Sequence, residues 1–137
     1  MKLEHINMFV SDMQQSLNFY QAAFPYWQVR SKGTGEWYGK PRNWLHFGDE
    51  YQYLALSDSG EGKNRDLASN QIGLSHIAFE VKNIEAVIAR LAEIGVSPSS
   101  SGSEHKFRKN IYFQDPDGFE IEFVEYLTDI PAERNSD

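Results

Sequence analysis

Apolar and polar residues alternate with a period of two near the N-terminus. Ile6, Met8 and Val10 fall on one face and His5, Asn7 and Phe9 on the other, which predicts a strand over residues 3–10. Asp12 follows as a helix N-cap, with Gln15 three residues on as its capping-box partner. Met13, Leu17, Tyr20 and Phe24 then recur at helical spacing, and Pro25 ends the element. Residues 27–29 read as a short strand and Gly33-Thr34-Gly35 as a turn. Trp37-Tyr38 and residues 44–47 read as strand material around a connection over residues 40–43. Gly48-Asp49-Glu50 is a second turn. Residues 51–57 form a strand with Tyr53, Ala55 and Ser57 on one face. Residues 58–71 are rich in Gly, Ser, Asn, Asp and Lys and read as a linker.

The same plan then recurs. Residues 74–81 predict a strand in which Leu74, His76, Ile77 and Val81 lie 71 positions after Leu3, His5, Ile6 and Val10. Asn83 is the next N-cap, and Ile84, Val87, Ile88, Leu91 and Ile94 make a helical stripe closed by Gly95. Met13 with Ile84, Leu17 with Ile88 and Tyr20 with Leu91 keep the 71-residue offset. A polar loop over residues 97–105, a strand over 107–114, a type I turn at Asp115-Pro116-Asp117-Gly118 and a strand over 119–126 follow. Each half is strand, helix, then three strands, and neither buries its sheet alone. The expected fold is therefore α+β: two tandem βαβββ modules forming one curved mixed sheet with helices on the convex face. Module one covers about residues 3–57, the linker 58–71 and module two 72–127, within a single domain that leaves a loose tail at 128–137.

Composition narrows the partners. The 137 residues carry 13 basic and 20 acidic side chains, a net charge of −7, which argues against nucleic acid or an anionic membrane. Cysteine is absent, so there is no disulfide, thiolate ligand or cysteine nucleophile. The N-terminus lacks an apolar signal core and no run approaches about 20 apolar residues. The expectation is a cytoplasmic protein that handles a small molecule.

The repeat points to chemistry. His5 and His76 occupy equivalent positions on the face away from the helices. Phe47-Gly48-Asp49 aligns with Phe113-Gln114-Asp115, and Leu54-Ala55-Leu56 with Ile121-Glu122-Phe123 once the Pro-Asp-Gly turn is allowed one extra residue. Glu122 then points to the concave side with the two histidines, because its neighbours Ile121 and Phe123 point to the helices. Two imidazoles and one carboxylate make a site for a divalent ion, with open positions for substrate. A lone histidine on a strand is more often solvated, and Glu120-Ile121-Glu122 also reads as the wet face of an edge strand; the joint placement favours the metal. Trp37, Tyr38, Trp44 and Tyr53 suit an aromatic wall, or sheet packing. The basic run His105-Lys106-Phe107-Arg108-Lys109-Asn110 suits a carboxylate or phosphonate, with Lys106 and Arg108 as its contacts, or a solvated loop.

Three stretches carry a family resemblance: Leu3-Glu4-His5-Ile6 with Asp12-Met13 and Phe19-Tyr20; Ser75-His76-Ile77-Ala78-Phe79; and Asp115-Pro116-Asp117-Gly118-Phe119-Glu120-Ile121-Glu122-Phe123. The chain resembles the vicinal oxygen chelate superfamily of glyoxalase I, extradiol dioxygenases, fosfomycin-resistance enzymes and bleomycin-resistance proteins. The resemblance implies one divalent ion per chain (Fe, Mn, Ni or Zn) on His5, His76 and Glu122, and a homodimer. Glyoxalase I carries a fourth ligand where this chain has Ala55, with Tyr53 two residues away as a weak substitute. The expected function is a metal-dependent enzyme, dioxygenase-like or lyase-like, acting on a small substrate chelated through vicinal oxygens. The alternatives are a metal-free resistance-type binding protein and a fosfomycin-type thiol transferase, although Asn7 stands where those transferases usually have Thr.

Overall fold

A computed structural model describes residues 1–136. The chain forms two compact units, Met1–Lys63 and Asn64 onward, divided within the predicted linker.

The first unit runs β1 (His5–Phe9), α1 (Met13–Ala23), β2 (Gln28–Trp37), β3 (Lys40–Gly48) and β4 (Tyr53–Ser57). Its sheet order is β1-β4-β3-β2, with β1 parallel to β4 and the other pairs antiparallel. Met8 and Val10 are buried on the helix side with Phe47, Leu54 and Leu56. Asp12 caps α1 by accepting from the Gln15 amide at 3.0 Å. The buried stripe of α1 is Ser16, Phe19, Tyr20 and Ala23, not the predicted Met13, Leu17, Tyr20 and Phe24. Both stripes keep helical spacing, and the two small residues let Phe19 and Tyr20 seat against the sheet.

The second unit runs β5 (Ile77–Glu80), α2 (Ile84–Glu93), β6 (Ser100–Ser101), β7 (Arg108–Gln114), β8 (Glu120–Tyr126) and α3 (Pro131–Arg134). Its sheet order, β5-β8-β7-β6, repeats the first, and β5 is parallel to β8. Asn83 caps α2 through the Ala86 amide at 3.0 Å, and Glu125 accepts from the Ile84 amide at 2.9 Å. Ile84, Val87 and Leu91 pack inward. Gly95 leaves the helix with φ +78, a left-handed conformation that glycine adopts without strain. The Asp115–Gly118 turn closes with a 2.9 Å bond from the Gly118 amide to the Asp115 carbonyl.

The α+β class and the paired βαβββ plan are those read from the sequence. Further local expectations fail, and the connection read over residues 40–43 is one, because Lys40–Gly48 is a continuous strand. Gly33-Thr34-Gly35 is not a turn; β2 passes straight through it and turns at Tyr38-Gly39. The two glycines give clearance, because a Cβ would sit 2.8 Å from the Trp44 ring at Gly33 and 2.7 Å from the Trp37 ring at Gly35. The strand predicted from Leu74 begins only at Ile77, so His76 precedes it. Finally, the tail expected to be loose holds α3. Arg134 makes a two-pronged contact with Glu80 at 2.9 and 3.1 Å, and Arg108 Nη1 donates to the Arg134 and Ser136 carbonyls. No described helix is long and apolar enough to cross a membrane.

Candidate metal centre

In the second unit, β5, β8 and β7 bring their alternate side chains to the face away from α2. Pairing sets Tyr112 beside Glu122 and Ala78 on Glu122's other flank. β8 lies inside the sheet rather than at its edge, and Glu122 is only 6% exposed. The edge-strand reading of Glu120-Ile121-Glu122 is thereby removed. A buried carboxylate needs partners, and Glu122 has three. Asn110 Nδ2 and the Tyr112 hydroxyl (2.9 Å) both donate to Oε1, while His76 Nε2 lies 3.0 Å from Oε2. Burial first, then the hydrogen bond to Glu122, pushes the Tyr112 phenol up to about 12. It therefore remains a proton donor to the carboxylate throughout the neutral range.

This donor set fits a divalent ion. Imidazole nitrogen and carboxylate oxygen are both suitable ligands. Two ligand atoms bound at about 2.1 Å and near a right angle lie about 3.0 Å apart, the separation of His76 Nε2 from Glu122 Oε2. Asn110 and Tyr112 fix the other oxygen, as outer hydrogen bonds do for ligating carboxylates. Glu120 is not a third ligand in this arrangement. It lies 3.7 Å from His76 Nδ1, on the opposite side of the ring. Among the described residues no group of three His, Cys, Asp or Glu side chains is gathered to hold an ion.

His5 belongs to the first unit, where it opens β1 on the corresponding face. Its Nδ1 contacts the Glu4 carboxylate, and its ring stacks on Tyr53 at 4.8 Å. His46 stacks on Tyr53 at 4.5 Å, and Arg30 lies 4.7 Å from the same ring. Tyr53, expected to face substrate, thus has its ring engaged by three neighbours. Burial, and then the charge of His5, holds the His46 imidazole below its ordinary value. Trp37 and Trp44 line a cavity of about 410 Å³ in this unit. Lys106 and Arg108 line one of about 550 Å³ in the second. There the Lys106 ammonium lies 4.8 Å from the Phe107 ring, and Arg108 is partly committed to the tail.

Asn110 and Tyr112 as partners of Glu122, and His46 as a partner of Tyr53, were not read from the sequence. The signal existed. Asn110 and Tyr112 alternate along β7, so the register that the Pro-Asp-Gly turn sets, with Tyr112 opposite Glu122, puts Asn110 on the same face two residues along.

Comparison with known proteins agrees with this architecture. The sequence model of the Glyoxalase/Bleomycin resistance protein/Dioxygenase superfamily matches residues 2–123. The metallothiol transferase FosB of Bacillus licheniformis is 27% identical over 123 residues, covering 88% of this chain and 72% of that protein. A glyoxalase family protein from Enterococcus faecalis superposes with a TM-score of 0.72 at 28% identity, over 90% of this chain and 97% of that one. The fosfomycin resistance protein FosX of Listeria monocytogenes, in a mutant form complexed with Mn(II) and 1S,2S-dihydroxypropylphosphonic acid, gives 0.69 at 19% identity, over 89% and 90% of the two chains. The repeated βαβββ plan and the match along nearly the whole chain place this protein in the Glyoxalase/Bleomycin resistance protein/Dioxygenase superfamily, the vicinal oxygen chelate group.

Proposed function

We propose that this protein is a divalent-metal enzyme that acts on a small substrate through two neighbouring oxygens. His76 and Glu122 would hold the ion, with His5 as the third ligand. The observation that carries the reading is the buried Glu122 carboxylate, with one oxygen fixed by Asn110 and Tyr112 and the other facing His76 Nε2 at 3.0 Å. When bound, the ion supplies Lewis-acid polarisation of a substrate oxygen. Ala55, at the place of a fourth ligand, has only a methyl group, so it leaves a position open to substrate.

The reaction this reading favours is thiol transfer, supported by the similarity to a metallothiol transferase. A thiolate sulfur attacks a carbon of a strained or activated C–O bond. That bond breaks, and the released oxygen takes a proton. Lys106 and the free donors of Arg108, in the cavity of the second unit, suit the substrate's anionic group. The reading includes a homodimer, supported by membership of a superfamily whose members commonly form dimers.

The test is thiol consumption with the epoxide fosfomycin as probe, in the presence of Mn(II). Turnover is expected in the native protein and is lost in His76→Ala. Absence of turnover with any of a panel of cellular thiols would overturn the thiol-transfer assignment.

A further inference from the structure

The first unit buries a charge that the metal centre does not use. Arg42 is 8% exposed. Its guanidinium lies 4.3 Å from the Phe9 ring centre and 5.9 Å from that of Tyr38. Nη2 reaches the Trp37 carbonyl at 3.5 Å, the outer limit of a hydrogen bond. Nε and Nη1 are buried with no partner. Among the described residues no carboxylate pairs with it. A guanidinium shut away from both water and anions is strongly unfavourable, so this arrangement is set up for an anion to arrive.

The space for such a ligand is adjacent. The cavity of about 410 Å³ is lined by Asn7, Phe9, Trp37, Tyr38, Trp44 and Ser57 among others. That volume suits a small organic molecule, and the walls suit a flat one. Phe9 and Tyr38 line the cavity and also flank Arg42, so the guanidinium stands directly behind its wall. Tyr38 is the part of that wall able to move. It is 89% exposed and sits in the left-handed region at φ 53, followed by Gly39 at φ 75, in the two-residue turn between β2 and β3. A bulky residue is disfavoured there, and little packing holds its ring.

We propose that this cavity binds an aromatic carboxylate. The ring lies against Trp37 and Trp44, and the carboxylate takes the Nε and Nη1 donors of Arg42 once Tyr38 swings aside. All its residues belong to the first unit, and they include Ala55, the position left open to substrate in the function proposed above; the carboxylate site needs no metal, so titration of metal-free protein tests it apart from that function.

Calorimetric titration of EDTA-treated protein with 2-naphthoate and with its neutral counterpart 2-naphthamide tests this. Naphthoate should bind at least about tenfold more tightly, the worth of a hydrogen bond to a charged partner. Arg42→Met, which keeps the apolar stem, should reduce naphthoate to the level of naphthamide and leave naphthamide unchanged. Equal affinity of the native protein for the two probes, no binding of either, or undiminished naphthoate binding by a folded Arg42→Met would overturn the proposal. Should Arg42→Met fail to fold, the two probes on the native protein decide alone.

Discussion

The two sheets share one framework and carry opposite chemistry on it. The β3–β4 register pairs His46 with Ala55 and Trp44 with Ser57; the β7–β8 register pairs Tyr112 with Glu122 and Asn110 with Val124. The β1–β4 and β5–β8 registers add Asn7 with Ala55 and Ala78 with Glu122. Position by position, a face of Trp44, His46, Tyr53 and Ala55 in the first unit corresponds to Asn110, Tyr112, Glu120 and Glu122 in the second. One face gathers stacked rings and the guanidinium groups of Arg30 and Arg42. The other gathers two carboxylates around an imidazole, with neutral donors holding one of them in place. The first is suited to flat and anionic molecules, the second to a cation. The repeated backbone sets where side chains point, and what each face binds depends on a handful of alternate positions.

If the framework is truly shared, matched cuts into the two cores should be equally damaging. Leu54 and Ile121, at corresponding positions on β4 and β8, are both buried. Leu54→Ala and Ile121→Ala should each lower stability by about 2–5 kcal/mol, read by denaturant unfolding. A loss confined to one of them would show that the two halves do not bear load alike. The chemical divergence is probed by a smaller change. Tyr112→Phe removes one donor to Glu122 Oε1 and should weaken metal affinity by about 10–100-fold without unfolding the chain, as measured by calorimetry. An unchanged affinity would mean that the phenol only fills space.

A still smaller effect separates the aromatic face. The His46 value is depressed, mainly by burial, so the unfolded chain binds more protons than the folded one as pH falls past the ordinary imidazole value near 6.5. Stability contributed by neutral His46 is complete above that pH and declines as pH falls toward its folded value. His46→Gln should flatten this part of the stability–pH curve, measured by thermal melts between about pH 7.5 and 5. A curve identical to that of the native protein would assign the slope to another group.

Much of this was legible in the sequence because local rules govern it. The 71-residue offset, the caps Asp12 and Asn83 and the Pro-Asp-Gly turn depend on near neighbours, and the structure repeats them. The direction of Glu122 followed from its apolar neighbours Ile121 and Phe123. What was illegible depends on contacts made across the sheet. Gly33 and Gly35 look like turn residues until Trp44 and Trp37 are seen to need the space above them. Arg42 sits in a Lys-Pro-Arg-Asn stretch that reads as a polar connection, and only the sheet order, with β4 between β1 and β3, puts it against Phe9. The phase of α1 is hard to read because Ser16 and Ala23 carry no strong hydrophobic signal, although both are buried. The anchored tail rests on Glu80 and Arg108, each more than twenty residues away from Arg134 along the chain.

If Glu122 is a metal ligand, calorimetric titration of Mn(II) into metal-free protein will separate the native chain from Glu122→Ala. The native protein should take up one Mn(II) per chain and the variant none that can be measured. Equal uptake by both proteins, or none by the native protein with Mn(II), Fe(II), Ni(II) or Zn(II), would contradict that role of Glu122.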